Sequence, residues 1–376
     1  MFTSLLSLVQ VRTELETTIA VSAKRKILES GKVVDGYEVL SYLGEGSCSH
    51  VYRARHLHSR REVALKVLSQ VEFVRGEADA EVFIGRFNRE AKAAASVQHP
   101  NIVTFFDTGF SDERLYIAMQ LLDGHDLSHE LANSGPLSFA RAKALFVPCL
   151  EALGRIHASG IVHRDLRPRN LFLHKPGTAE ERMMILDFGL ALLDDGDLQK
   201  RLTMPGQMLG TPAYTSPEAL KQDLATPARD VYAMALIFIE ALTGKPVVVG
   251  EDLFRCMELH CKAEIDLPAW VLSGELGALL ERATDVDHTT RIQNGRSFFE
   301  KLSAITGAAP ADDAVVKLSE VHAARKAREE EELRAKDEAE GDVELPGLIQ
   351  MGPGLMVAVF AVAAIAGILL YVLLLR

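Results

Sequence analysis

The feature that most constrains this sequence is a dense charged stretch, IVHRDLRPRN at residues 161–170, flanked on both sides by apolar segments. A helical pattern precedes it, FARAKALFVPCLEALGRIHASG, which is predicted to end at Gly160. Two short apolar strands follow it, LFLH and MMILDFG, joined by a turn that contains Pro176 and Gly177. We therefore expect the charged loop to lie beside Asp187, at the end of the second strand. The charge by itself leaves open whether the loop is solvated surface or the floor of a catalytic site.

Three side chains at this junction have complementary chemistry. Asn170 and Asp187 carry hard oxygen atoms of the kind that bind Mg²⁺, which takes a few protein oxygens and leaves room for substrate phosphates. Asp165 carries a carboxylate that can accept a proton. The expected meeting of these three residues predicts a site for phosphate chemistry.

The N-terminal part of the chain predicts a small antiparallel sheet. YEVLSYLGEGSCSHVYRARH and REVALKVLS are typical of three strands with a glycine turn between the first two. Gly44 and Gly46 in that turn let the backbone approach a ligand closely, although a GxG hairpin is most often only a turn.

The third strand places a lysine on an apolar face. By the two-residue period, Lys66 shares its face with Ala64 and Leu68. An edge-strand lysine that reaches water is the plain alternative. The next segment, EVFIGRFNREAKAAASV, has helical spacing, and Glu90 falls beside its apolar stripe. A carboxylate there needs a cation or hydrogen-bond donors to offset its desolvation, and Lys66 is the expected partner of Glu90.

Composition excludes some functions. The net charge of −11 argues against a nucleic-acid-binding protein, because such affinity comes mainly from clustered Lys and Arg. The four cysteines are scattered without a CxxC pair, so neither a disulfide framework nor a zinc site is indicated.

Residues 355–375 form an uncharged apolar run, LMVAVFAVAAIAGILLYVLLL, that is long enough to cross a bilayer as a helix. We expect a single-pass tail anchor, with a buried core helix as the alternative. The preceding charged segment, residues 315–342, is rich in Glu, Lys, Arg and Ala and predicts a solvated helix within a linker.

The motifs, taken in order, resemble those of the Hanks-type (eukaryotic-like) serine/threonine protein kinases, in particular the bacterial membrane-anchored type. GEGSCSHV is similar to the glycine-rich loop, VALK to the lysine-bearing strand, RFNREA to the helix with its glutamate, HRDLRPRN to the catalytic loop, DFG to the metal-binding turn and SPE to the end of the activation segment. One such motif is a weak signal, but six in register over residues 36–306 are a strong one.

The resemblance implies an α+β fold with two lobes: a small antiparallel-sheet N-lobe with one main helix, and a mostly helical C-lobe. Together with the charged and apolar segments described above, the expected division is an N-terminal extension at 1–35, a kinase domain at 36–306 (N-lobe 36–121, C-lobe 122–306), a charged juxtamembrane linker at 307–354 and a transmembrane helix at 355–375.

The resemblance also assigns residue roles in ATP- and Mg²⁺-dependent phosphoryl transfer, with Mn²⁺ as an alternative metal. The implied catalytic residues are Asp165 (base), Lys66 (held by Glu90), Arg167 and Asn170, and the implied metal ligands are Asn170 and Asp187. The implied nucleotide-binding residues are Leu43, Gly44, Glu45, Gly46, Val51, Ala64, Lys66, Glu90, Met119, Gln120, Leu122 and Leu173. Asp230 and Arg291 match structural anchors of the family, for the catalytic loop and for Glu218.

Two residues depart from the family pattern. Ser49 replaces the third glycine of the loop, and Arg167 replaces the catalytic-loop lysine, so nucleotide affinity and turnover are placed in doubt. An arginine there also occurs in some tyrosine kinases, but GTPAYTSPE matches the serine/threonine form. A membrane-tethered pseudokinase scaffold and a small-molecule phosphotransferase are the alternatives to an active protein kinase.

Regulation, location and partners are expectations from the same resemblance. Arg164 is implied to pair with a phosphate on Thr203, added in trans by a second copy, which would make a homodimer a partner. The other expected partners are protein substrates, ATP and the lipid bilayer, without nucleic acid. The expected location is the bacterial inner membrane, with the kinase domain in the cytoplasm.

Overall fold

The computed structural model describes residues 28–45, 49–68, 77–112, 114–187, 212–220, 225–307 and 314–341. Of these described residues, those up to His322 belong to one compact unit and Ala323–Gly341 to a second.

The N-terminal lobe is built on an antiparallel sheet with one long helix. In the described residues its strands are β1 (Val33–Val34), β2 (Tyr37–Glu45), β3 (Ser49–His56), β4 (Glu62–Leu68), β5 (Phe105–Ser111) and β6 (Arg114–Gln120), and the helix is α1 (Glu77–Ser96). The strand order is β1-β2-β3-β4-β6-β5. The three strands predicted from the alternating pattern are confirmed as β2, β3 and β4.

The predicted packing of α1 is also confirmed where its side chains are described. Phe87, Ala91 and Ala94 are each at most 1% exposed. Phe87 and Ala94 pack in one cluster with Ala64 and Leu68 of β4, so the helix covers the face of the sheet that carries Lys66.

The C-terminal lobe is mostly helical. Its elements are β7 (Gly124–Asp126), α2 (Leu127–Ser134), α3 (Phe139–Ala158), β8 (Leu171–His174), β9 (Arg182–Ile185), α4 (Pro217–Leu220), α5 (Pro227–Thr243), α6 (Leu253–Lys262), β10 (Asp266–Pro268), α7 (Gly274–Ala283), α8 (Gly295–Ala304), β11 (Val315–Lys317) and α9 (Leu318–Gly341). Strands β7, β8 and β9 form a small antiparallel sheet. The helix predicted to end at Gly160 is confirmed as α3, whose cap residue is Ser159.

Helix α5 forms the centre of this lobe. It is buried on nearly every side, which fits a helix that is apolar all round. Pro227 occupies its first turn, where a missing N–H costs nothing, and Gly244 ends it in the left-handed conformation.

Residues that follow the expected domain boundary at 306 pair with this lobe. After α8 the chain returns, and β11 pairs antiparallel with β10. The amides of Leu318 and Ser319 donate hydrogen bonds to the carbonyls of Ile265 and Ala263, and Leu318 is 1% exposed. The lobe therefore includes residues 314–322, because backbone pairing and an apolar contact attach them. The predicted solvated helix follows as α9, whose described residues from Glu329 to Ala335 are exposed.

No helix among the described residues is long and apolar enough to cross a membrane. The expected transmembrane segment, 355–375, lies outside the described residues, as do Gly46, Thr203 and the side chain of Glu90.

Candidate active site

The charged loop at 161–170 is anchored rather than solvated along its length. His163 is fully buried, Leu166 is 4% exposed and Asn170 is 6% exposed. A single turn of 3-10 helix, Pro168–Asn170, ends the loop and leads directly into β8. The loop therefore presents its polar groups from a fixed backbone.

Asn170 and Asp165 meet through hydrogen bonds. The Asn170 side-chain nitrogen, Nδ2, donates to the Asp165 backbone carbonyl at 2.6 Å and to Asp165 Oδ2 at 3.1 Å. Both bonds use the amide nitrogen, so the carbonyl oxygen of Asn170 remains available as a ligand. Arg167 Nη2 lies 3.6 Å from Asp165 Oδ2, and the Asp165 side chain is 35% exposed.

Asp187 is held beside this loop by backbone pairing. The backbone amide of Leu186 donates a hydrogen bond to the carbonyl of Asn170 at 2.9 Å. Asp187 is the next residue, so this bond holds it beside the loop. Asp187 itself has φ of 58°, in the left-handed region that non-glycine residues rarely adopt. Such strain is retained where the surrounding structure fixes the residue, and it clusters at functional sites.

Lys66 reaches Asp187 from the other lobe. Its Nζ lies 2.7 Å from Asp187 Oδ1, and the two side chains are 13% and 27% exposed. Burial raises the pKa of Asp187, but the Lys66 ammonium, together with the nearby His163 and Arg167, more than offsets this, so the pKa of the carboxyl lies below its ordinary value. Lys66 therefore points into the site and does not reach water at an edge. Its expected pairing with Glu90 stays a prediction.

The carboxylate of Asp230, on α5, holds the backbone of the charged loop through hydrogen bonds. Its Oδ2 accepts hydrogen bonds from the His163 amide at 2.7 Å and from His157 Nε2 at 2.9 Å, and its Oδ1 accepts one from the Arg164 amide at 2.9 Å. Because the Gly295 amide donates to His157 Nδ1, the proton of a neutral His157 lies on Nε2, facing Asp230. Burial alone raises the pKa of Asp230. The hydrogen bond to His157 and the nearby His163 lower this pKa by more, so the net shift is downward.

His163 connects the loop to the strand that carries Asp187. Its Nδ1 accepts from the Asp165 amide at 3.3 Å, so its Nε2 donates to the Leu186 carbonyl at 2.8 Å. Sequence reasoning missed the roles of His163 and His157. His163 lies within the motif and could have been singled out, whereas His157 has no local signal because its partners are distant in sequence.

A second buried ion pair confirms the anchor expected at Arg291. Arg291 Nη1 and Nη2 donate to the two carboxylate oxygens of Glu218 at 2.7 and 3.0 Å. The side chains are 0% and 4% exposed. This bidentate geometry ties the SPE segment, at the start of α4, to the loop before α8.

The expected nucleotide residues lie where the two lobes meet. Ala64 pairs across the sheet with Met119, and Val51 pairs with Lys66. Ala64, Met119 and Leu173 of β8 belong to one hydrophobic cluster, and Val51 and Leu122 pack against it. Val51, Ala64 and Leu173 thus border one apolar core that continues from the N-terminal sheet to β8.

The remaining described residues expected at the nucleotide lie at the ends of strands of the N-terminal sheet. Leu43, Gly44 and Glu45 lie at the end of β2, with Gly44 paired to Val51 and Leu43 51% exposed. Gln120 ends β6, and its amide donates to the Thr104 carbonyl at 2.8 Å. Ser49, in place of a glycine, is the first residue of β3 and is 3% exposed.

The oxygens of Asn170 and Asp187 suit a hard divalent cation, as expected from their chemistry. No cluster of three or more His, Cys, Asp or Glu side chains that could hold a metal occurs among the described residues.

Comparison with known proteins gives consistent results. Residues 37–298 match the family described as protein kinase domain. PrkC, a serine/threonine-protein kinase of Bacillus subtilis (strain 168), is 34% identical over 235 residues, which are 62% of this chain and 34% of PrkC. PknE of Mycobacterium tuberculosis (strain ATCC 25618 / H37Rv), also named a serine/threonine-protein kinase, is 34% identical over 238 residues, which are 63% of this chain and 40% of PknE.

A solved structure supports the same fold. The crystal structure of the Mycobacterium tuberculosis PknI kinase domain superposes with a TM-score of 0.55 at 26% identity, covering 74% of this chain and 99% of that one. This chain spans only about a third of the length of the curated relatives, from 34% to 40% of PrkC and PknE. Because the matched family covers well over half of it, the chain belongs to the protein kinase domain family and has its two-lobed fold.

Proposed function

We propose that this chain is a serine/threonine protein kinase that transfers the γ-phosphoryl group of ATP to hydroxyl groups of proteins. The observation that carries the proposal is the convergence of Lys66, Asp165, Asn170 and Asp187, with Lys66 Nζ 2.7 Å from Asp187 Oδ1. The names of the relatives, serine/threonine-protein kinases, support the same assignment.

Catalysis in this proposal is mostly positioning. Asn170 and Arg167 both lie at Oδ2 of Asp165, which leaves Oδ1 to orient the acceptor hydroxyl and take its proton. Asn170 and Asp187 would hold Mg²⁺, or Mn²⁺ in its place, which supplies positive charge to the transferring phosphates. Lys66 supplies a further fixed cation for the phosphates of ATP, at the edge of the adenine cleft.

Arg167 has a feature that fits an anion beside it. Among the described residues, its Nε is buried without a hydrogen-bond partner. A buried donor without a partner costs about 1–3 kcal/mol, so the geometry favours a ligand oxygen there. We propose that Arg167 replaces the usual lysine as a contact for the γ-phosphate, with its planar guanidinium less well aligned than an ammonium.

The test is transfer from labelled ATP with Mg²⁺ by the full chain in mild detergent, followed by mapping of the modified residues. Asp165→Asn and Asp187→Ala should lose transfer by at least a hundredfold. Asp266→Asn, an exposed aspartate on β10, is the matched control and should be unchanged. Transfer retained by Asp187→Ala, or absent from the wild type despite nucleotide binding, would contradict the proposal and favour a pseudokinase scaffold.

We also propose regulation through the activation segment. Arg164 has φ of 66°, and its backbone amide donates a hydrogen bond to Asp230. Its backbone is therefore held in a fixed position from which the side chain would bind a phosphate on Thr203. Phosphorylation in trans would require a second copy. Thr203→Ala should lower activity and remove one phosphopeptide, whereas Thr178→Ala, in the exposed turn before β9, should do neither.

Membrane attachment through residues 355–375 is a further proposal. It rests on a 21-residue uncharged apolar run, and it would place the kinase domain at a membrane with access to protein substrates there. Ala364→Arg with Ile368→Arg should release the chain from carbonate-washed bacterial membranes. Release of the wild type under the same wash would contradict the anchor.

A further inference from the structure

The turn that joins β3 to β4 has a fixed backbone. The amide of His56 donates a hydrogen bond to the Arg61 carbonyl at 2.9 Å, and the amide of Arg60 donates one to the His56 carbonyl at 2.8 Å. The amide and the hydroxyl of Ser59 both donate to His56 Nδ1, at 3.2 and 2.8 Å. We call residues 57–61 the basic turn, and these bonds hold it in one conformation.

The basic turn presents its side chains to solvent. All five of its residues are exposed, and Leu57 is 41% exposed. The amide of Leu57 donates a hydrogen bond to the Gly36 carbonyl at 2.8 Å, so its backbone is attached to the sheet although its side chain is not buried. An exposed leucine therefore lies within two residues of an exposed histidine and three residues of an exposed arginine.

Positive charge exceeds negative charge on this hairpin. Residues 53–62 contain four arginines and one glutamate. Glu62 accepts hydrogen bonds from Arg53 at 2.8 Å and from Arg55 at 3.1 Å, so it offsets part of their charge. Neither Arg60 nor Arg61 forms an ion pair with a carboxylate in the described part of the chain. The two arginines of the basic turn thus remain available to an anion.

A second exposed apolar side chain lies beside Arg61. Strand β5 has a register shift between Phe105 and Asp107, and Phe106 at this shift is 38% exposed. The guanidinium carbon of Arg61 lies 4.6 Å from the centre of the Phe106 ring, in a cation–π contact. The neighbouring carboxylate, Asp107, accepts a hydrogen bond from the Tyr37 hydroxyl at 3.3 Å. The surface therefore combines exposed arginines with exposed apolar side chains.

This combination fits the surface of an anionic bilayer. A guanidinium binds phosphate oxygens through its planar fork, and exposed leucine and phenylalanine side chains gain free energy by entering the headgroup region. The net charge of −11 opposes a long polyanion such as nucleic acid, which would also leave the leucine in water. The apolar run at 355–375 supplies a bilayer to the same chain under the attachment proposed above.

We propose that the basic turn docks on anionic phospholipid headgroups and holds the N-terminal lobe against the bilayer. The proposal rests on the proposed membrane attachment. Near an anionic surface each arginine contributes roughly fivefold in affinity, so Arg60 and Arg61 alone would hold a free domain weakly. Attachment through the tail makes the contact intramolecular, which raises the effective concentration of the turn at the surface.

The test uses the full chain with the fluorescent amino acid acridonylalanine in place of His58. The chain is reconstituted into vesicles of phosphatidylglycerol and phosphatidylcholine that contain a lipid with a nitroxide quencher on its headgroup. We expect fluorescence at position 58 to be quenched at least about threefold more than in vesicles of phosphatidylcholine alone. Raising NaCl from about 0.1 M to about 1 M should remove the difference, because the Debye length falls from about 10 Å to about 3 Å.

Charge reversal tests the two arginines. Arg60→Glu/Arg61→Glu should reduce the quenching to the level of phosphatidylcholine alone. The matched control is Lys245→Glu/Lys301→Glu, which makes the same change of charge at two exposed positions of the C-terminal lobe and should leave the quenching unchanged. The comparisons of lipid and of salt use one and the same chain, so they do not depend on the folding of a charge-reversal variant.

Flotation of the vesicles separates the docking from the anchor. A chain that floats with the vesicles but is not quenched at position 58 would overturn the docking and leave the anchor in place. A chain that does not float would overturn both. Equal quenching in phosphatidylcholine alone, or quenching retained by Arg60→Glu/Arg61→Glu, would also overturn the docking. So would a signal that depends on the ratio of protein to lipid, as a second copy bound to the turn would produce.

Discussion

Replacing Asp230 by asparagine perturbs the residue on which the catalytic loop depends most. Its carboxylate accepts three hydrogen bonds, from the amides of His163 and Arg164 and from His157 Nε2. The residue is 1% exposed, so water cannot replace a lost acceptor. Asparagine has the same shape but only one acceptor oxygen.

The cost can be worked from the geometry. The best orientation of the introduced asparagine keeps its oxygen where two donors converge, those of His163 and His157. Its amide nitrogen then faces the Arg164 amide, which is a donor, at a separation that is 2.9 Å in the wild type. Two buried donors are left without partners at about 1–3 kcal/mol each, so we expect a loss of about 2–6 kcal/mol. At roughly 2–4 °C per kcal/mol, Tm should fall by about 4–24 °C.

Thermal unfolding of the wild type, Asp230→Asn and the exposed control Asp266→Asn checks this at pH 7.5. The folded-state pKa of Asp230 is lowered, so its stabilisation is present above its unfolded pKa and is lost as pH falls through the folded value. The difference between wild type and Asp230→Asn should therefore shrink below about pH 4, the ordinary range of an aspartate. A Tm within 1 °C of wild type at pH 7.5 would refute the reasoning.

Three further changes test other parts of the structure. Arg291→Ala leaves Glu218 buried without its cation and should cost about 3–5 kcal/mol in urea unfolding; a loss below about 1 kcal/mol would contradict a buried ion pair. Burial raises the pKa of Glu240, so the stability it contributes is present below its unfolded pKa and lost as pH rises through the folded value. Glu240→Gln, which keeps an acceptor for the Tyr214 hydroxyl, should therefore have a higher Tm than wild type at pH 8 and an equal one near pH 4; a lower Tm at pH 8 would count against this. Gly124→Ala places a Cβ 2.0 Å from a carbonyl oxygen of β8 at φ of 141° and should cost about 2 kcal/mol or more by the same unfolding assay; a neutral result would show that the strand can shift.

The local hydrophobic pattern of the sequence was sufficient to predict the strands and helices around the site. The two-residue period of β4 predicted that Lys66 shares a face with Ala64 and Leu68. In the structure Ala64 and Leu68 belong to one core cluster, the intervening Leu65 and Val67 belong to the other, and Lys66 reaches Asp187. The helical pattern before the charged loop predicted α3 as well, because hydrophobic periodicity and end signals act within about 20 residues. The motif residues Asp165, Asn170 and Asp187 were found because they end or follow these elements.

Partner choice over long distances was decided by the tertiary structure alone. His157 binds the amide of Gly295, 138 positions away, and Asp230 binds the amide of His163, 67 positions away. The pairing of β11 with β10 likewise showed that residues 314–322 belong to the C-terminal lobe. Local periodicity records which side of an element is buried, whereas the partner of a buried polar group is selected by three-dimensional proximity and by the cost of leaving it unpaired. The sequence by itself thus determined the elements and the chemistry they carry, and only the packed structure decided which distant groups hold that chemistry in place.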